Sequence, residues 1–304
     1  MKGDQGIVSR YSLFIFCVTL LVPLAACRQQ STVTDKSNRE LPRLLRYQKI
    51  SLPVFDSARE QLAYAYSLPT GSERQKKAFR FVAEHFPEDR LICGRALLQS
   101  AYLELGEDYR LSDRDSRRRA LFSYMEIAGE YDDIGAVRAK ALWYMGWIHS
   151  DLLGERERGL ALYRLLAEEF GTETPPRPEE PTPLVSFVYP QARNNDANGE
   201  PPPSWPALAL LEIIKNEAEM KDRLRAMNRL LALEAGGRAA GLGLLHLLRG
   251  NADNKALRAA ARDYLAGKNI NPALASDIRA ILNNYQKKNG DGNHHPEGHQ
   301  SPQQ

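Results

Sequence analysis

The sequence predicts an all-α fold: a helical-hairpin solenoid over residues 43–171, a proline-rich linker over 172–205 and a second helical bundle over 206–288. Three observations predict it. Apolar residues recur at three- and four-residue spacing on both sides of the linker, as in Val137, Ala141, Tyr144, Met145, Ile148 and Leu152. Helix start and stop residues stand at the ends of those runs. Between Thr172 and Pro206, ten of 35 residues are proline, which lacks the amide a helix needs and so divides the chain. A content of 43% apolar and 26% charged residues over 304 positions excludes wholesale disorder and a collagen-like or disulfide scaffold. With 41 basic against 38 acidic residues there is no broad cationic field, so no nucleic-acid partner is expected.

Residues 1–26 read as a signal peptide. Lys2 and Arg10 make a weakly basic start, and Tyr11 to Ala26 carries no charge before the chain turns polar at Arg28. The run is shorter than the roughly 20 residues a spanning helix needs, and Pro23 interrupts its end. The run closes on Leu24-Ala25-Ala26-Cys27, which resembles the lipobox of bacterial lipoproteins. That resemblance implies that Cys27 becomes the first residue of the mature chain and is acylated on its thiol and amine. Several acyl chains, at about 0.8 kcal/mol per buried methylene, would make the attachment permanent. Arg28 stands where the enterobacterial sorting pattern for inner-membrane retention has Asp. The resemblance therefore implies the outer membrane, with the chain facing the periplasm. The other reading of Cys27 is a core cysteine beside an apolar helix. Residues 27–42 are polar and aperiodic, and read as a tether. Of the remaining cysteines, Cys17 leaves with the signal, so Cys93 stands alone among Leu91, Ile92, Ala96 and Leu97 as a small buried hydrophobe.

Three helix pairs are expected next: 56–67 with 72–86, 92–106 with 113–130, and 137–153 with 156–170. Ser72-x-x-Gln75 and Ser112-x-x-Asp115 place a hydroxyl before a helix and an acceptor three residues on, which satisfies orphaned amides. Each second helix ends in an aromatic residue followed by a breaker or polar residue, at Phe86-Pro87, Tyr131-Asp132 and Phe170-Gly171. The third pair carries Leu142, Met145 and Gly146 on its first helix, Gly154-Glu155 at its turn, and Gly159, Tyr163, Leu166 and Phe170 on its second. On these residues the segment resembles tetratricopeptide repeats of the kind found in outer-membrane assembly and Tol-Pal-associated lipoproteins. The resemblance departs from the family in spacing. The aromatic end-markers at 86, 131 and 170 stand farther apart than a 34-residue repeat allows, which places an insertion at Glu107 to Asp115. A generic helical-hairpin array is the other reading.

Within the linker, Leu184 to Tyr189 is an apolar island that docks on its own chain or adds as a strand to a partner. The C-terminal helices are expected at 206–216, 220–235, 238–248, 254–266 and 272–286. Pro206 and Pro272 fit first turns, and Gly236-Gly237, Gly250 and Gly267 fit stops. Gly241 to Leu248 is apolar nearly all round and marks the buried centre of a bundle, or of an extended solenoid. Residues 289–304 read as a disordered tail holding His294, His295 and His299, a weak transition-metal binder at most.

Chemistry is mostly absent. No Gly-x-Ser-x-Gly, His-Glu-x-x-His, Gly-x-x-x-x-Gly-Lys or Cys-x-x-Cys occurs, and the Glu-Ser pair of lytic transglycosylases is missing. His85, His149 and His246 lie in helices without a partnering acid or nucleophile marked by the sequence. No catalytic residue, metal site, cofactor or small-molecule substrate is expected. Arg110, Arg114 and Arg117 share a stripe if one helix holds them. That stripe, with Arg118, is either a clamp for a partner's carboxylates or a solvated face neutralised by Asp108, Asp113 and Asp115. Trp143 and Trp147 either fill packing or line a groove. The expectation is a lipid-anchored envelope adaptor that binds a protein or peptide, with Arg117, Arg118 and Trp147 as contacts and the first and third hairpins as groove walls. A peptidoglycan-acting enzyme, or a regulator of one, is the alternative.

Overall fold

In the first hairpin, a hydroxyl fixes the start of each helix. Ser57 accepts from the amide of Glu60 at 3.3 Å to begin α1 (Ala58–Ser67), and Ser72 accepts from that of Gln75 at 3.1 Å to begin α2 (Glu73–His85). Gln75 returns the bond, its Oε1 accepting from Gly71 N at 3.0 Å, so the expected capping box closes one residue further out. The second hairpin is α3 (Arg90–Leu103) and α4 (Arg114–Glu130). Here the expected cap is corrected by one residue. Asp113, not Ser112, accepts from Ser116 N at 2.6 Å, because Ser112 Oγ instead donates to Tyr109 O at 2.5 Å.

This computed structural model describes residues 51–106, 108–171, 175–177, 202–235, 237–267 and 270–290. Cys27, the leader, the tether, Leu184 to Tyr189 and the tail histidines lie outside them.

The third hairpin holds α5 (Gly135–Trp147) and α6 (Arg156–Phe170), with a π-helical turn at Ile148–Leu152 where one continuous helix to 153 was expected. Leu153 N bonds to Ile148 O at 2.9 Å, a five-residue step that widens the turn. The two helices meet at glycine, because a Cβ on Gly146 would stand 2.6 Å from the Tyr163 ring. After the linker come α7 (Trp205–Asn216), α8 (Met220–Leu233), α9 (Arg238–Asn251), α10 (Lys255–Ala266) and α11 (Pro272–Gly290). Among the described residues the chain is all-helical and has no strand.

Each helix from α1 to α8 packs against the next, and α9 then packs on α7, α8, α10 and α11. One core runs from Cys93 to Leu282, with a smaller one under the first hairpin around Phe79 and Val82. Gly241, Gly243, Leu244, Leu245, Leu247 and Leu248 of α9 are buried as the sequence implied, while His246 is exposed. The seam between the hairpins and the C-terminal helices is α6 against α7. Around it Trp143 of α5 and Trp205 of α7 lie 5.7 Å apart, Arg164 of α6 pairs with Glu217, and Arg229 of α8 donates to Ala167 O at 2.9 Å. The C-terminal helices thus continue the packing of the hairpins.

Candidate binding groove

A groove of about 560 Å³ opens between α2, α3 and α4. It arises because α3, rich in small and aliphatic residues, sits between two helices that each turn a mixed stripe toward it. Ala83 and Leu97, half-buried, give it apolar surface above the buried Ala101 and Ile127. Glu84 on α2 and Glu126 and Glu130 on α4 stand at its rim, exposed.

The charges there do not cancel. Arg80 donates through Nε to Ser100 Oγ at 3.2 Å and pairs with Glu104, which Arg119 also approaches to 3.9 Å. Arg90 donates to Asp133 Oδ1 at 2.6 Å and to the carbonyl of Glu130 at 2.9 Å, and lies 5.1 Å from the centre of the Tyr131 ring. Both arginines are committed within the chain. The carboxylates of Glu84, Glu126 and Glu130 make no ion pair or hydrogen bond among the described residues. Of the three, Glu130 also acts inward. Burial pushes the Cys93 thiol up to about 11, and Asp89, Glu88 and Glu130 add to it. Burial, then Glu130, pushes the Tyr131 hydroxyl up to about 12. Cys93 itself is buried and donates its thiol to Phe86 O at 2.9 Å, as a packed, inert cysteine would.

The groove therefore lies between the first and second hairpins, whereas the sequence pointed to the first and third. Of the three expected contact residues, the structure brings none to it. Arg117 donates to Ser112 Oγ at 3.0 Å, to Leu152 O at 2.6 Å and to Arg110 O at 3.1 Å, and so staples the long α3–α4 connection to the π-helical turn. Arg110 precedes the cap of α4, so the expected Arg110–Arg114–Arg117 stripe does not form on one helix. Trp147 is 5% exposed and meets Tyr109 edge-on at 5.0 Å, holding the same connection from beneath. Only Arg118 is exposed, on the outer face of α4 with Phe122 and Met125. The rim glutamates were missed because, one residue at a time, they look like an ordinary solvated face. The available signal was their spacing, Glu126 and Glu130 one turn apart beside the apolar Ile127.

A second polar cluster surrounds the π-helical turn. His149 Nδ1 lies 2.8 Å from Glu155 Oε2, which also takes Arg158 at 2.9 Å. The histidine thus has an acid partner that sequence reading did not see. The His149 bond first, then Arg158, holds the Glu155 carboxyl below the usual range. Asp151 keeps an exposed edge, yet partial burial and the nearby Glu212 carboxylate push it up to about 6. Glu212 is buried on α7 and accepts from Lys215 at 2.9 Å and from Asn216. Burial, then Lys215, Arg223 and Arg249, lowers His246 nearby. Among the described residues no three His, Cys, Asp or Glu side chains converge as metal ligands. No described helix is long and apolar enough to cross a membrane.

Comparison of the chain with protein-family models, with curated proteins and with solved structures found no match.

Proposed function

We propose that the chain is a lipid-anchored scaffold of the bacterial cell envelope, held at Cys27 to the outer membrane, which holds a segment of a partner protein in the groove over α3. The observation that carries this reading is the groove itself: apolar surface between paired helices, edged by carboxylates that the fold leaves unused. The lipobox-like Leu24-Ala25-Ala26-Cys27 supports the anchor. The aromatic-ended hairpins support a tetratricopeptide-like repeat, a family whose members present peptides with a surface rather than with catalytic groups. Arg118, Phe122 and Met125 give the same scaffold a second accessible face. Membrane fractionation of the intact chain beside Cys27→Ala tests the anchor. The unaltered chain is expected in the outer-membrane fraction and the variant in the soluble one, and equal distribution of the two would overturn it.

A second reading, an enzyme or enzyme regulator acting on peptidoglycan, is favoured by one arrangement. Burial first, then the charge of Glu212, pushes the Asp151 carboxyl up to about 6, while Glu212 accepts from Lys215 at 2.9 Å, so two carboxylates in unlike surroundings act on one another. Incubation of the purified chain with murein tests it. Release of fragments that Asp151→Asn abolishes would replace the scaffold reading.

A further inference from the structure

We propose that the occupant of the α2–α3–α4 groove is a cationic segment: a stretch of a partner chain carrying at least two Lys or Arg side chains beside an apolar one. The proposal rests on the reading of the groove as a binding surface and names the chemistry that fits it.

The argument is one of charge and shape together. Two arginines face the groove, and each already has its acid, Arg80 with Glu104 and Arg90 with Asp133. Glu104 also has Arg119 at 3.9 Å, and Arg90 feels the Glu130 charge. Glu84 on one wall and Glu126 and Glu130 on the other remain three carboxylates in no ion pair among the described residues, so the rim is net negative. They bracket the apolar strip of Ala83, Leu97, Ala101 and Ile127 from both sides. An apolar side chain seated on that strip places its flanking residues against the two walls, where a positive charge is attracted and a negative one repelled. An anionic segment would meet three like charges with both arginines already occupied, and a purely apolar one would desolvate the rim without return. Burial is the main reason the Cys93 thiol and Tyr131 hydroxyl are raised, and Glu130 adds to both in the sense a negative rim requires. Lys and Arg also suit the geometry. Their alkyl stems lie along apolar surface while the charged head reaches a rim.

A selection experiment tests this on the full chain. The probe is a random twelve-residue peptide library, selected at low salt against the unaltered chain and then challenged with three variants. Glu84→Lys/Glu126→Lys/Glu130→Lys reverses the rim. Glu84→Gln/Glu126→Gln/Glu130→Gln removes its charge at nearly constant shape, which guards against a misfolded reversal. Ser123→Trp fills the groove without touching the charge. Melting curves establish that each variant folds. The expected result is a pool enriched in Lys and Arg that binds the unaltered chain and loses at least tenfold in affinity to each variant. A neutral or acidic pool blocked by Ser123→Trp would overturn the cationic assignment and leave the groove as a binding site. A pool indifferent to Ser123→Trp, or no enrichment, would overturn the groove reading as well. Self-association of the chain that Ser123→Trp abolishes would assign the groove to a second copy and overturn the proposal.

Discussion

At the scale of single residues, two of the three side chains expected to meet a partner, Arg117 and Trp147, are used within the fold, and Arg118 alone stays exposed. Arg117 is the clearest case. Its donors go to a serine hydroxyl and to the carbonyls of Arg110 and Leu152, the latter 35 positions away in the chain. Nothing in a charge pattern signals that a guanidinium will cap backbone oxygens from another hairpin, which is why the stripe was legible as a cluster and illegible as a staple. Arg117→Met keeps the stem and removes these bonds, and is expected to lower unfolding free energy by about 1.5–3 kcal/mol, as for bonds to a charged donor. Denaturant titration measures it. Asp151 gives the pH prediction. In the folded chain its carboxyl titrates near 6 against an ordinary 3.8. Between those values the folded chain holds a proton that the unfolded chain has released. Stability therefore falls as pH rises through that window and is level above it. The difference in melting temperature between the unaltered chain and Asp151→Asn, taken from pH 4 to 7, should show this decline, since the lowered His246 adds a change of opposite sign to both proteins.

At the scale of helices, the chain's own punctuation was readable and its irregularities were not. Hydroxyl caps, prolines in first turns and aromatic ends all act within a few residues, so their chemistry is local and visible. Ser72→Ala should cost about 1 kcal/mol, the usual loss when a capping oxygen is removed from a helix start, as seen by thermal melting. The π-helical turn at Ile148–Leu152 was invisible because it keeps the three- and four-residue apolar spacing of an ordinary helix. Its extra residue shows only in the bond from Leu153 N to Ile148 O. The same turn presents the Leu152 carbonyl to Arg117 and carries His149 toward Glu155. The insertion expected in the α3–α4 connection is where Tyr109 and Trp147 meet, so a departure from repeat spacing became a packed feature.

At the scale of the whole molecule, the sequence divided the chain at its prolines, and the structure joins it again at the α6–α7 seam. Trp205, 1% exposed at the start of α7, ties that helix to Trp143 of α5. Trp205→Ala is expected to cost about 3–5 kcal/mol, as for other buried tryptophans. Because one core runs from Cys93 to Leu282, the loss should lower a single melting transition rather than uncouple two. Calorimetry reads the difference. The groove also belongs to this scale, since its rim residues come from helices more than 40 positions apart. The sequence shows each stripe, and only the packing of α2 and α4 about α3 sets the three carboxylates around one apolar strip.

The most direct measurement is the affinity of a groove-selected peptide for the intact chain as a function of ionic strength, taken beside the Glu84→Gln/Glu126→Gln/Glu130→Gln variant. The account predicts that binding weakens about tenfold or more between 50 and 500 mM salt, as screened charge pairs should, and that the variant binds weakly at both. Affinity that is independent of salt, or equal in the two proteins, would contradict it.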